Sequence, residues 1–161
     1  MSAGTKATII EFIREHLDPG LRNIELVKDQ HFLADHEGFA EAPSLANFGQ
    51  GMQQIFRTGL LFASARGGIV LIDEIDNAIH ASLLHQFAGL IGKLADLLDV
   101  QVFLTTHSKE AISAFVQSEQ EARQCAGYAI SREGEQVRAR GYPGEQLARL
   151  KELVDFDLRS P

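Results

Sequence analysis

Gly67-Gly68-Ile69-Val70-Leu71-Ile72-Asp73-Glu74-Ile75-Asp76 is the stretch on which the fold turns, because an uninterrupted aliphatic run ends in two adjacent carboxylates. The run is β-preferring and is punctuated by a glycine pair on one side and acids on the other. That pattern predicts a strand buried on both faces. Acids are costly inside a protein, so Asp73 and Glu74 belong at the mouth of the strand. In an open α/β sheet the carboxyl ends of parallel strands line the ligand crevice, where a carboxylate can hold Mg²⁺ through its water shell. On that reading Asp73 is the candidate metal-holding residue and Glu74 the candidate for polarising a water. The competing reading is a buried strand whose acids cap the next helix, since Asp and Glu favour the first helical turn.

Working outward, the sequence after the acids carries Ile79, Leu83, Leu84, Phe87, Leu90, Ile91, Leu94 and Leu98 at helical spacing. A second apolar run, Val100-Gln101-Val102-Phe103-Leu104, follows and ends in Thr105-Thr106-His107-Ser108. Strand, crossover helix and strand make a βαβ unit, whose right-handed connection leaves the strands parallel. The expectation is that Asp73, Glu74 and His107 converge on one edge.

Upstream, Ser44-Leu45-Ala46-Asn47-Phe48-Gly49-Gln50-Gly51-Met52-Gln53-Gln54 forms a polar, glycine-containing turn. It feeds a helix bearing Ile55, Phe56, Leu60 and Leu61. Backbone amides at a helix start attract phosphate, and an ordinary N-cap by Ser44 or Asn47 accounts for the same residues.

In this order and spacing the three elements resemble the C-terminal half of an ABC-type ATPase, closest to AAA-family proteins of the SMC-like and OLD-like kind. Leu45 to Gln53 is similar to a divergent signature motif, and Ile69 to Glu74 to a Walker B strand with its catalytic Glu. Ile75-Asp76-Asn77-Ala78-Ile79-His80 is similar to a D-loop, and Thr105 to Ser108 to a switch-histidine motif. The likeness covers about Ser44 to Phe115. Ala46 stands where the family usually has Ser, and Ile75 where transporters have Pro.

The resemblance implies an α/β, partial P-loop NTPase fold of three layers, with parallel Walker B and switch-His strands and a C-terminal β-hairpin and helix. It implies ATP and Mg²⁺ as cofactors, Asp73 as metal residue, and Glu74 and His107 as catalytic residues. Nucleotide contacts fall to Asn47, Gly49, Gln50, Gly51 and Asp76, with Asp76 bridging two head-to-tail heads. His80 reads either as a second interface contact or as a packed helix residue.

No Gly-rich loop of the form GxxxxGK[ST] occurs in the sequence, although that loop supplies the amides and the Lys that cradle β and γ phosphates. Gly92-Lys93 is followed by Leu94 and lies within the helical pattern, so Lys93 reads as a surface lysine. The expected partner is therefore a P-loop-bearing lobe, from a longer parent chain or a separate protein. A strand left without its neighbour further predicts an open edge at Gln101 to Thr105, leading to homodimerisation or to closure against Tyr128 to Ser131. The alternatives to an ATPase are a non-catalytic interaction module and a metal hydrolase using Asp73, Glu74, His80 and His107, the latter leaving the signature-like turn unexplained.

Composition bounds the rest. The sequence has 161 residues, 45% of them hydrophobic and 23% charged, with one cysteine, Cys125. This reads as a single cytoplasmic domain over residues 1–161, without an internal disulfide. No apolar run approaches the ~20 residues that span a bilayer, and Met1-Ser2-Ala3-Gly4 lacks a signal-type core. A net charge of -7 argues against a dedicated nucleic-acid clamp. Arg132, Arg138 and Arg140 read as a solvated hairpin face.

A helix is expected over Thr5 to Leu17, stopped by Asp18-Pro19-Gly20, then a strand from Asn23 to Val27. A strand and polar loop follow from Gln30 to Pro43, where His31, Asp35 and His36 match no metal-ligand spacing. Beyond His107 come a helix with Ile112, Phe115 and Val116, a polar stretch Gln117 to Gln124, and a hairpin whose turn Arg132-Glu133-Gly134-Glu135 joins strands Tyr128 to Ser131 and Gln136 to Arg140. A final helix runs from Gly144 to Asp155 with Leu147, Leu150 and Val154 inward.

Overall fold

The computed structural model describes residues 2–27, 31–116 and 125–151, apart from the side chains at 133, 148, 150 and 151. The expected polar stretch Gln117 to Gln124, the last turn of the final helix with Val154, and the inward side chain of Leu150 lie outside what is described. The α/β class expected from the sequence is observed, and the chain divides into two compact units, Met1–Thr106 and His107–Pro161.

The first unit opens with α1 (Ala3–His16), whose N-cap is Ser2; the Ser2 hydroxyl accepts the Thr5 amide at 3.3 Å. After Asp18-Pro19-Gly20 come the antiparallel strands β1 (Leu21–Val27) and β2 (His31–His36). A short 3-10 turn at Leu45–Asn47 leads to α2 (Gln50–Ser64). Then β3 (Ile69–Ile72), a second 3-10 turn at Ala81–Leu83, α3 (Leu84–Leu98) and β4 (Gln101–Leu104) complete the strand, helix, strand sequence read from the primary structure. β3 and β4 pair in parallel, Ile69 opposite Gln101 through Ile72 opposite Leu104.

The core of this unit lies where α1, α2 and α3 meet. Ile9, Ile13, Ile55, Phe56, Phe62, Phe87 and Leu94 are at most 2% exposed. α1 crosses α2 closely at Gly59, where a β-carbon, if the residue had one, would lie 2.0 Å from Ile9 Cδ1 and 2.7 Å from Ile9 Cγ1. α3 ends at Asp99, whose left-handed backbone (φ +54°) turns the chain into β4.

One expectation fails in an informative way. The sequence predicts β3 buried on both faces, yet Val70 and Ile72 are buried while Ile69 is 58% and Leu71 74% exposed. Opposite Leu71, Phe103 of β4 is 51% exposed. The sequence of β3 is apolar on both faces; within the described residues of this unit only the face of Val70 and Ile72 is covered.

The second unit contains α4 (Lys109–Phe115), the antiparallel hairpin β5 (Ala126–Glu133) and β6 (Gln136–Pro143), and α5 (Gly144–Lys151). Val116, Tyr142 and Leu147 form its small core, with Ile112 and Ala129 packed against it. The hairpin is longer than expected, by two residues at each end of β5 and by three at the end of β6. β3 with β4 and β5 with β6 form separate two-stranded sheets.

Candidate functional site

The acids leave β3 at the point where the backbone abandons regular strand geometry. Asp73 and Glu74 are both exposed, as their charge requires. Glu74 has φ +49° and Ala78, four residues on, has φ +65°. Left-handed backbone at a non-glycine residue costs of order 1–3 kcal/mol and persists only where its surroundings hold it.

What holds it is the end of β4. The Thr105 hydroxyl donates to Asp73 Oδ1 and accepts the Glu74 backbone amide at 2.9 Å. The Thr106 hydroxyl donates to Asp76 Oδ1. Main-chain bonds flank these: Thr105 N–H donates to Ile72 O at 3.0 Å, and Ile75 N–H to Thr105 O at 3.0 Å. Within the turn, Asn77 Nδ2 donates to Glu74 Oε2 at 2.6 Å. Sequence reasoning gave no role to Thr105, Thr106 or Asn77. The visible signal was two hydroxyl-bearing residues placed where the partner strand emerges.

The glycine-containing turn sits against this loop. A side-chain carbon built on Gly51 would meet the Ala78 carbonyl at 3.4 Å and Leu17 Cδ2 at 3.6 Å. Asn47, Gly49 and Gln50 are exposed. Ser44 caps the 3-10 turn, its hydroxyl accepting the Ala46 amide at 3.3 Å, whereas the N-cap of α2 is Gly49, with no side chain to satisfy the first amides. Gln53 closes the turn from inside the helix, donating to Phe48 O at 2.8 Å and Ala46 O at 3.3 Å.

The histidines divide by role. His80 is exposed and caps the second 3-10 turn, its Nδ1 accepting the Ser82 amide at 3.3 Å; it is not a packed helix residue. His36 Nδ1 accepts the Gly38 amide at 2.9 Å, so Nε2 carries the proton and donates to Asp18 Oδ1 at 2.9 Å. His36 thereby clasps the end of β2 to the Asp18-Pro19-Gly20 turn. No group of three or more His, Cys, Asp or Glu residues able to hold a metal occurs among the described residues. His107 is exposed and opens the second unit, where the side chain that caps α4 is Ser108, accepting the Ala111 amide at 3.1 Å. Arg132, Arg138 and Arg140 are exposed on the hairpin, with the Arg140 guanidinium 5.3 Å from the Tyr142 ring centre.

Residues 5–113 match the family model described as "AAA domain, putative AbiEii toxin, Type IV TA system". The chain belongs to this family. Among curated relatives, an ATP/GTP phosphatase of Helicobacter pylori is 27% identical over 147 residues, which cover 85% of this chain and 40% of that protein. The chain thus spans about two fifths of that relative's length. An uncharacterised protein of Methanocaldococcus jannaschii is 29% identical over 112 residues, 69% of this chain and 98% of that one.

Solved structures of SMC ATPase heads share the fold. A chain from a study of ATP-driven dimerization and DNA-stimulated activation of SMC ATPases aligns with a TM-score of 0.59 at 13% identity, covering 95% of this chain and 92% of that one. An Smc head with an extended coiled coil, bound to the C-terminal domain of ScpA from Pyrococcus furiosus, gives a TM-score of 0.61 at 15% identity, covering 93% of this chain and 37% of that one. This AAA-family chain therefore shares its fold with SMC ATPase heads. No helix among its described residues is long and apolar enough to cross a membrane.

Proposed function

We propose that this chain is the rear half of an ABC-type ATPase head, completed by a P-loop-bearing lobe supplied by a parent chain or a partner. The observation that carries the reading is the exposed acid pair Asp73-Glu74, held at the end of a parallel strand pair by the hydroxyl of Thr105, which follows the neighbouring strand. The half-covered β3 supports it as well. An apolar strand with Leu71 and Ile69 bare is what a three-layer sheet leaves when one layer comes from elsewhere.

The acid pair suits a hydrated cation. Asp73 uses one oxygen for Thr105 and has no hydrogen bond at the other among the described residues. Mg²⁺ is ordinarily held by one or two carboxylates together with substrate phosphates, not by an all-protein cage. Bound ATP with Mg²⁺ would supply the scissile phosphoanhydride and the charge neutralisation at phosphorus. Toward it, Asp73 would be the residue that holds the cation through its water shell, and Glu74 the one placed to accept a proton from the attacking water. His107 would be the residue assigned to the γ-phosphate. Gly49, Gln50 and Gly51 would offer backbone amides at the uncapped start of α2, and Asn47 its exposed side chain, to the nucleotide of a second head, and Asp76 would bridge the heads with its Thr106 bond intact. A cytoplasmic setting and head-to-head homodimerisation belong to the same reading.

The test is to combine the chain with the P-loop lobe encoded beside it or in its parent protein and to titrate ATP with Mg²⁺. Binding and turnover appearing only in the combination is the expected result. Association of the two without ATP binding would favour an interaction module, and no association at all would end the composite-head reading.

A further inference from the structure

We propose that Thr105 is the positioning residue of the acid pair: its side-chain hydroxyl substitutes for a backbone carbonyl that a one-residue insertion has taken away from Glu74. The proposal rests on the reading of Asp73 and Glu74 as working acids, and its physical basis is the hydrogen-bond register between β3 and β4.

In a regular parallel ladder a residue's amide bonds to one carbonyl of the neighbouring strand, and its own carbonyl accepts the amide two residues further along that strand. Thr105 N–H donates to Ile72 O, so its carbonyl should receive the amide of Glu74. It receives that of Ile75 instead, at 3.0 Å. One residue has been inserted, which makes Glu74 the extra residue of a β-bulge, and bulges bend a strand and re-aim a side chain. The backbone records the insertion as the left-handed φ of +49° at Glu74.

The displaced Glu74 amide would otherwise lose its protein partner. Thr105 Oγ1 accepts it at 2.9 Å, and the same hydroxyl uses its one proton on Asp73 Oδ1. A hydroxyl is the smallest group able to do both, having one donor and two acceptor lone pairs. Val at this position fills the same volume and does neither; Ser does both. The bond therefore links the two acids: the direction of the Asp73 carboxylate and the backbone angle of Glu74 are set by one atom.

The experiment uses the intact 161-residue chain. Amide exchange at Glu74 and Ile75 is followed by NMR in the wild type and in Thr105→Val, Thr105→Ala and Thr105→Ser. Ile75 donates to the Thr105 carbonyl, so it reports whether the end of β4 is intact whatever the side chain. The expected result is Glu74 exchange about tenfold faster or more in the Val and Ala variants, near wild type in the Ser variant, with Ile75 protected throughout. Unchanged Glu74 exchange in Val and Ala would overturn the proposal. So would equal loss at Ile75 in both, because the hydroxyl would then be holding the strand end and not the acid.

Mn²⁺, used as a paramagnetic probe of Mg²⁺ sites, supplies an independent arm. It is expected to broaden the Asp73 and Glu74 resonances of the wild type and Ser variant at several-fold lower concentration than in the Val variant. Broadening equal in wild type and Val contradicts the positioning role. Absence of broadening in every form, with the exchange pattern as expected, strikes the cation role of Asp73 and leaves the Thr105 bond established.

Discussion

The side-chain amide of Asn77 donates a 2.6 Å hydrogen bond to Glu74 Oε2, so the second acid of the pair is held by a residue of its own turn. The carboxylate is thereby fixed on one side and offers Oε1 on the other. Because Asn77 is the donor, a neutral amide at position 74 can accept the same bond through its carbonyl oxygen.

That makes Glu74→Gln an informative substitution. The turn should keep its geometry, and nucleotide binding by the completed head should persist. Turnover should fall by about 10²–10⁴, the usual worth of general-base assistance. Steady-state hydrolysis beside equilibrium nucleotide binding checks it; hydrolysis within a factor of a few of wild type would remove Glu74 from the chemistry.

Leu71 gives a prediction with opposite outcomes in two settings. At 74% exposed it contributes little to the isolated chain, so Leu71→Lys should change thermal stability by no more than about 0.5 kcal/mol. In the presence of the P-loop lobe the same change should abolish association, because a lysine would be desolvated against an apolar layer. Calorimetry of the chain alone and co-purification with the lobe separate the two effects.

Gly59→Ala tests the packing of α1 on α2. In an exposed helix this exchange would stabilise by about 1 kcal/mol. Here the new methyl falls 2.0 Å from Ile9 Cδ1, and Ile9 is fully buried, so it has no space into which to swing. Overpacking of this kind costs about 1–3 kcal/mol, which outweighs the helix gain. A lower melting temperature is expected, and Ile9→Val in the same chain should recover part of it.

At the end of α3 the sign reverses. Asp99 holds a left-handed C-cap at φ +54° and places a carboxylate beside the negative end of the helix dipole. Asp99→Gly removes both penalties, and no side-chain hydrogen bond of Asp99 is described. A gain of roughly 0.5–1 kcal/mol, or about 1–4 °C in Tm for a chain of this size, should appear in a thermal melt.

These examples mark how far the amino-acid sequence could be read. The strand, helix, strand order was legible because aliphatic runs and a long 3.6-period stretch are unambiguous at that length, and α3 carries the apolar residues expected from Leu84 to Leu98. The placement of the acids just past Ile72 was legible for the same reason: charge is excluded from the strand interior. The bare face of β3 was not, since Ile69 and Leu71 are as apolar as the buried Val70 and Ile72 and residue type alone does not separate the two faces. Nor was the inserted residue at Glu74. A bulge depends on which carbonyl of Thr105 or Ile72 meets which amide, and no pattern of side-chain polarity encodes that register. His36 illustrates the reverse case, where nearby histidine and aspartate invite thoughts of a metal and the geometry reveals a clasp with Asp18.

The left-handed conformation of Glu74 sets conformational economy against the chemistry proposed for that position. Glycine would relax that backbone, so any search that ranks variants by melting temperature alone will favour replacing Glu74 and discard the carboxylate. Engineering a hardier form of this protein should therefore hold residue 74 fixed and look for its gains at Asp99 and other sites remote from the acids.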